Sequence, residues 1–334
     1  MEKIRERDLT WQIEEFMICC KSKDLRRKTM QSYEQTLRLF ERWCRESLDI
    51  CTVDEVSENV IRHYIAELQE RGKYTYYAND KAKVYNMPDR RRDFRKPMSS
   101  ITINNYLRNI RVFFTWLVEE DVLRNNPMRK IKALKEQRTP KEYMSDEDFN
   151  KLIAGLDKSY FTEHRDYTMI ILMLDSGMRL GECSCLFVEE IDLNKKRIYL
   201  KADNTKGRKD RVVYFSDKTE LILRRWLRFK DRYMETDYLF PSRTSKSHVT
   251  VSSFESNFRR YLTRFGIKQK LSPHCLRNNF AKRCLMNGMD IYTLSRILGH
   301  SSVTVTEQAY LDLNEDDIAH RYRNYSPIDN MTRN

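Results

Sequence analysis

Five short segments in the second half of the chain carry side chains suited to binding a phosphate group. They hold Arg179, Lys206, the pair His274 and Arg277, His300, and Tyr310. Ser272-Pro273 is typical of a helix start, and free N–H groups there favour an anion, to which an arginine adds a planar pair of donors. Each residue alone also has an ordinary explanation: an exposed charge, a helix cap or a core tyrosine.

The elements that must position these residues follow from the spacing of apolar side chains. Three- and four-residue spacings predict helices over 146–156, 163–175 and 180–188, with a break at Gly177 before Arg179. Alternating patterns over 197–200 and 211–215 predict two paired strands, joined by a polar turn that contains Lys206. Helical patterns resume at 217 and continue to the end, with Gly299 ending one helix just before His300.

The apolar spacing in the first half of the chain predicts a small helical bundle. Three amphipathic patterns follow one another between residues 8 and 68, and a fourth covers 102–120. Between the third and fourth lies the segment 71–97, which holds nine Lys or Arg against three Asp and is interleaved with aromatic residues. This composition suits contacts to a nucleic-acid backbone, but a solvated loop explains it equally well.

Composition narrows the class of protein. The 334 residues carry a formal charge of +13, which attracts polyanions without separating nucleic acid from an anionic membrane. The longest apolar stretch, 167–174, is too short to span a bilayer, and the first five residues lack an apolar signal core, so we expect no membrane association and a cytoplasmic protein. The eight cysteines are expected to be reduced, and few Gly or Pro residues favour a mainly helical fold.

A charged stretch precedes Ser145 and marks a domain boundary. Ser145 and the acidic residues after it resemble a capping box, which indicates that a new helix starts there. We predict an N-terminal helical domain over 1–135 with a basic insertion at 71–97, a linker at 136–143, and a second domain over 144–334 with a tail at 311–334. The fold class is mainly α with a small antiparallel β-sheet.

The motifs resemble, in order, those of tyrosine recombinases of the phage integrase family, of the Xer-like or transposon-integrase type. They are Ser-Gly-Met-Arg-Leu-Gly-Glu at 176–182, Thr-Lys-Gly at 205–207, His-Cys-Leu-Arg at 274–277, Leu-Gly-His at 298–300, and Tyr310. Lys28-Thr29 with Ser32-Tyr33, and the stretch from Tyr106 to Pro127, are similar to the family's core-binding helices, so the resemblance covers nearly the whole chain. Asn278-Asn279 depart from the family pattern at positions that are not catalytic.

The resemblance implies a SAM-like core-binding bundle and an α+β catalytic domain that form a C-shaped clamp on DNA. It implies transesterification at a phosphodiester through a 3′-phosphotyrosyl intermediate, without metal or ATP. Tyr310 would be the nucleophile, His274 its base and Lys206 the acid. Arg179, Arg277 and His300 would bind the phosphate, with Glu182 supporting Arg179.

The expected partner is double-stranded DNA with inverted-repeat core sites, bound by a homotetramer on two sites, with accessory or directionality proteins. Expected DNA contacts are Lys28, Thr29, Arg90, Arg91, Arg92, Arg95, Lys96, Arg208 and Lys209. Integration or excision of a mobile element is the favoured role. The alternatives are an Xer-like resolvase of chromosome or plasmid dimers, a relaxase like type IB topoisomerases, and a catalytically idle DNA-binding regulator.

Overall fold

The computed structural model describes residues 6–77, 84, 87–136, 143–202, 210–245, 247–300 and 302–310, and positions 319, 322 and 328. At 305 and 308–310 it describes the backbone. The chain divides into two compact units, residues 1–138 and 139–334. None of the helices in these described ranges is long and apolar enough to cross a membrane.

The first unit contains the four predicted helices, whose bounds are α1 (Leu9–Ser22), α2 (Arg27–Leu48), α3 (Glu58–Glu70) and α4 (Ser100–Glu119). Asp8, Ser57 and Ser99 cap three of them by accepting backbone N–H groups of the first turn. Their apolar faces meet in a core that includes Phe40 and Phe114. The sequence prediction of a helical bundle is confirmed.

The second unit combines helices with a small three-stranded sheet. The helices are α5 (Asp146–Gly155), α6 (Phe161–Ser176), α7 (Leu180–Ser184), α8 (Asp217–Tyr233), α9 (Val251–Arg264), α10 (His274–Met286), α11 (Ile291–Leu298) and α12 (Val303–Tyr310). The strands are β1 (Ile191–Asp192), β2 (Arg197–Leu200) and β3 (Arg211–Tyr214), antiparallel in that order. Ile198 and Val213 face each other across β2 and β3 and are fully buried. A core around Trp226 joins the sheet to several helices, and a smaller cluster around Leu285 and Leu294 joins α10 to α11.

The structure corrects the sequence prediction in the second unit at three places. A third strand, β1, adds to the predicted pair. Helix does not run unbroken from 217: the described residues of 234–245 and 247–250 contain no helix, and Tyr238 and His248 form isolated bridges with Phe187 and Pro241. The buried Trp226 indole holds this segment by donating to the Leu239 carbonyl at 2.8 Å.

The third correction concerns helix ends beside the candidate site. Helix α7 stops at Ser184 instead of 188. Helix α10 begins at His274 with Pro273 as its cap, one residue later than predicted, and without a side-chain cap bond from Ser272. The shift at α10 is within the one or two residues by which helix ends usually differ, whereas α7 ends four residues early and residues 188–190 form a separate 3-10 turn.

Candidate active site

Arg277 lies buried in the first turn of α10, between the ends of two other helices. Its Nη1 donates to the Gly177 carbonyl at 2.7 Å and its Nη2 to the Leu298 carbonyl at 2.6 Å. Gly177 ends α6 with φ +66°, and a Cβ there would stand 2.3 Å from the Phe280 ring. Only glycine therefore allows α6 to end this close to α10 and present its carbonyl to the arginine.

The positive charge of Arg277 is not matched by a hydrogen-bonded carboxylate within the described ranges. Burial lowers the pKa of the guanidinium to about 9, with further lowering by the positive charges of Arg179 and Arg211 and opposition from Glu182. The group therefore remains protonated at neutral pH but is surrounded by like charge. A bound anion would offset both effects, so this position favours a phosphate.

Glu182 is a buried carboxylate shared by two arginines. The Arg179 backbone N–H donates to Oε2 at 2.8 Å and its Nη1 to Oε1 at 3.0 Å. Arg211, at the start of β3, donates Nη1 to Oε1 at 3.0 Å and Nη2 to Oε2 at 2.5 Å. Although burial raises the pKa of Glu182, the hydrogen bonds and charges of Arg211 and Arg179 outweigh it and bring that pKa below its usual value.

His300 connects the arginine cluster, formed by Arg179, Arg211 and Arg277, to helix α12. Its Nε2 lies 3.0 Å from Arg277 Nη2, and its Nδ1 lies 2.7 Å from the hydroxyl of the buried Thr306. A guanidinium can only donate, so Nε2 accepts and the ring proton is on Nδ1. Thr306 precedes Tyr310 by one turn of α12, so the histidine ties Arg277 to the helix that ends at this tyrosine.

The remaining catalytic candidates are His274, Tyr310 and Lys206. His274 is exposed and opens α10, three residues before Arg277. The backbone of Tyr310 ends α12. Lys206, Arg208 and Lys209 fall between β2 and β3, outside the described residues. The structure thus brings together Arg179, Glu182, Arg277 and His300.

Sequence reasoning missed Arg211 and Thr306. A signal for Arg211 existed: in β3 it lies two residues before the fully buried Val213, so strand alternation places it on the core face. A charged residue there predicts a buried ion pair. Thr306 had no comparable signal. The described residues contain no group of three His, Cys, Asp or Glu side chains that could hold a metal ion.

The DNA-contact candidates of the first unit lie on its surface. Lys28 is exposed in the first turn of α2, with Thr29 half-buried beside it. The five candidates of the insertion, Arg90, Arg91, Arg92, Arg95 and Lys96, are all exposed. The structure therefore leaves these positive charges accessible to a large polyanion.

The described ends of the insertion are held together by backbone hydrogen bonds. Lys73 donates to the Lys96 carbonyl at 2.8 Å, and Arg95 donates to the Lys73 carbonyl at 3.0 Å. Gly72 permits this approach, because a Cβ there would lie 2.3 Å from the Arg95 carbonyl oxygen. A cavity of about 1080 Å³ opens between the insertion and helices α2 and α4, lined by Arg71, Lys73, Arg91 and several tyrosines.

The fold is that of a family of enzymes that break and rejoin DNA. The chain belongs to the phage integrase family: the model described as "Phage integrase family" matches residues 142–317, and "Phage integrase, N-terminal SAM-like domain" matches residues 13–79. It is accordingly a tyrosine recombinase, as the motifs had indicated.

Relatives agree with this assignment. The chain is 29% identical over 220 residues to tyrosine recombinase XerC of Thermodesulfovibrio yellowstonii, covering 64% of this chain and 71% of the relative. It is 23% identical over 310 residues to tyrosine recombinase XerC of Pediococcus pentosaceus, covering 90% and 92%. Among solved structures, the Tn1549 transposon integrase in complex with transposon right end DNA is similar in fold, with a TM-score of 0.70 at 16% identity, covering 95% of this chain and 99% of that one.

Proposed function

We propose that this enzyme is a site-specific recombinase that cuts duplex DNA with Tyr310 and stores the broken bond as a 3′-phosphotyrosyl ester. The observation that carries the proposal is the cluster of Arg179, Arg211 and Arg277 around one buried carboxylate. Its excess positive charge lies at the ends of α6 and α11, next to the helix that carries the proposed nucleophile.

The reaction follows from these charges. The Tyr310 oxygen attacks the phosphorus, the bond to the 5′-oxygen breaks, and negative charge grows on the two non-bridging oxygens. Arg179 and Arg277 stabilise that charge, a contribution of roughly 3 to 4 kcal/mol per donor in related oxyanion sites. His274 takes the tyrosine proton, since a phenol with a pKa near 10 stays protonated at neutral pH, and Lys206 gives a proton to the leaving 5′-oxygen.

His300 acts through Arg277 in this arrangement. Because its Nε2 accepts from Arg277, the ring holds the guanidinium in place before DNA binds. Donation from Nε2 to the phosphate requires a proton at Nε2 and transfer of the Arg277 bond to a phosphate oxygen. Both changes are favoured when an anion enters the cluster.

Cleavage by this mechanism is expected to proceed at an unchanged rate in EDTA, because arginines supply the positive charge that a metal ion would otherwise provide. The substrate is found by sequencing the DNA that flanks the reading frame for inverted half-sites. A nicked duplex of that sequence is then incubated with the protein, and the covalent adduct is measured. A Mg²⁺-dependent nuclease in parallel checks that chelation is complete, and loss of the adduct in EDTA would contradict the mechanism.

The insertion 71–97 is proposed to hold the DNA backbone. Arg92 and Lys96 are exposed within it, so the double variant Arg92→Gln/Lys96→Gln is expected to reduce the slope of log affinity against log salt by about 1.8, or about 0.9 per lost phosphate contact. Fluorescence anisotropy at several salt concentrations measures this slope. The matched control is Arg62→Gln/Lys130→Gln, which removes the same charge from residues paired with Glu58. An equal reduction of the slope in both double variants would mean that the insertion makes no specific contact with the DNA backbone.

We propose that the active assembly is a homotetramer on two inverted-repeat sites in the cytoplasm, where its DNA substrate would lie, and that accessory proteins set its direction. Integration or excision of a mobile element is the favoured role, supported by the long basic insertion and by fold similarity to a transposon integrase. Resolution of chromosome or plasmid dimers is the second candidate, because relatives are named XerC. Repeats at both ends of an element would favour the first role.

A further inference from the structure

Arg211 is a largely buried arginine that contacts both Glu182, which it shares with Arg179, and the end of α11, which binds Arg277. Only 10% of its side chain is exposed, and its fork covers both oxygens of Glu182. We propose that Arg211 is a positioning residue that keeps Arg179 free to bind the phosphate and fixes the loop that carries His300. This inference rests on the recombinase function proposed above and adds a residue to its machinery.

The first step concerns the sharing of Glu182. Arg211 holds the carboxylate with two guanidinium bonds, whereas the Arg179 side chain makes one. Among the described residues, the second terminal nitrogen of Arg179 is near only the Gly299 carbonyl, at 3.5 Å, which is longer than a good N–H···O bond. That nitrogen is therefore available to a phosphate oxygen. Without Arg211, the carboxylate would turn fully to Arg179 and neutralise it.

The second step concerns the end of α11. Arg211 Nε donates to the Ile297 carbonyl at 3.2 Å, and its side chain packs under Gly299, where a Cβ would lie 2.8 Å from Arg211 Cδ. The Leu298 carbonyl, just before Gly299, accepts from Arg277, and His300 directly follows Gly299. The position of Arg211 therefore sets where two proposed phosphate-binding side chains stand.

The third step concerns the sheet. Arg211 opens β3 and pairs with Leu200 at the end of β2, so it lies directly after the segment that contains Lys206. One side chain thus connects the hairpin of the proposed acid with Arg179, through Glu182, and with Arg277, through the end of α11. A residue with these contacts should affect the reaction more than it affects DNA binding.

The test compares cleavage of the nicked site, DNA affinity and thermal unfolding in four variants. Arg211→Gln is expected to slow cleavage about 100-fold, as loss of one oriented donor does elsewhere, while affinity stays within about threefold. Arg211→Lys keeps the positive charge but loses the paired guanidinium donors, so its cleavage rate should lie between those of Arg211→Gln and the wild type. In Glu182→Gln/Arg211→Gln no carboxylate remains to neutralise Arg179, so cleavage should recover about tenfold over Arg211→Gln alone.

The control is Arg197→Gln on β2, which removes an arginine paired with Asp192 in the same sheet but away from the cluster. It should cleave like the wild type. The proposal is overturned if Arg211→Gln cleaves normally, or if its cleavage, affinity and stability fall together and the double variant recovers nothing. If the wild type itself forms no adduct, the recombinase mechanism fails and this inference with it, whereas a failure confined to the variants leaves that mechanism standing.

Discussion

Replacing Tyr310 by Phe is expected to abolish the covalent protein–DNA adduct. The change removes a single oxygen from the last residue of α12, so the helix and its Thr306 contact to His300 remain. Loss of a nucleophile in other covalent enzymes slows the reaction by more than about 10⁴-fold, which takes the adduct below detection. DNA affinity should not change. The measurement is denaturing electrophoresis of a nicked site after incubation with each protein.

The matched control for this variant is Tyr292→Phe. Tyr292 lies exposed on the neighbouring helix α11, so it undergoes the same chemical change outside the cluster. It should form the adduct at the wild-type rate. An adduct that persists with Tyr310→Phe would assign the nucleophile to another residue, and peptide mapping of the adduct would identify it.

Local backbone signals were the part of this site that sequence could predict. A glycine after an apolar helical pattern predicted breaks at Gly177 and Gly299, and the structure confirms both as left-handed helix ends, with φ of +66° and +64°. The two alternating patterns were also correct, because they form the paired strands β2 and β3. These features depend on a few consecutive residues, which is why periodicity and turn chemistry reveal them.

Contacts between distant residues could not be predicted in the same way. Arg277 binds the carbonyl of a residue 100 positions earlier, and Arg211 reaches Glu182 across 29 positions. Residues so far apart in sequence come into contact only after α6, α10 and the sheet have packed around a shared core. No local sequence pattern encodes that packing. The two-residue strand β1 escaped prediction for a related reason, because two residues show no alternation and only pairing with β2 defines it.

The departure from the family pattern at Asn278-Asn279 shows how the site tolerates change nearby. The buried Asn279 donates its side-chain amide to the Cys275 carbonyl at 3.1 Å, within its own helix. The bond is local to α10 and does not involve the arginines. Positions 278 and 279 of this helix can therefore vary while Arg277 keeps its contacts with α6 and α11.

Replacing Arg277 by Lys is expected to slow cleavage by about 10² to 10³-fold with little loss of DNA affinity. Lysine keeps a positive charge but cannot give two parallel bonds to the charge that forms on the phosphate in the transition state. Cleavage rate and affinity are measured separately on the same nicked duplex. Most binding contacts are expected elsewhere on the DNA backbone, so affinity should stay close to that of the wild type.

The comparison of Arg277→Lys with Arg277→Ala separates catalysis from folding. Alanine leaves the carbonyls of Gly177 and Leu298 without their donor, at a cost of about 1 to 3 kcal/mol for each unpaired buried group, so its unfolding temperature should drop. Lysine can still reach one carbonyl and should lose less stability. If both variants lose cleavage in proportion to stability, Arg277 serves the fold. If the stable lysine variant still fails to cleave, the arginine fork is required by the transition state, where charge must be met at two oxygens at once.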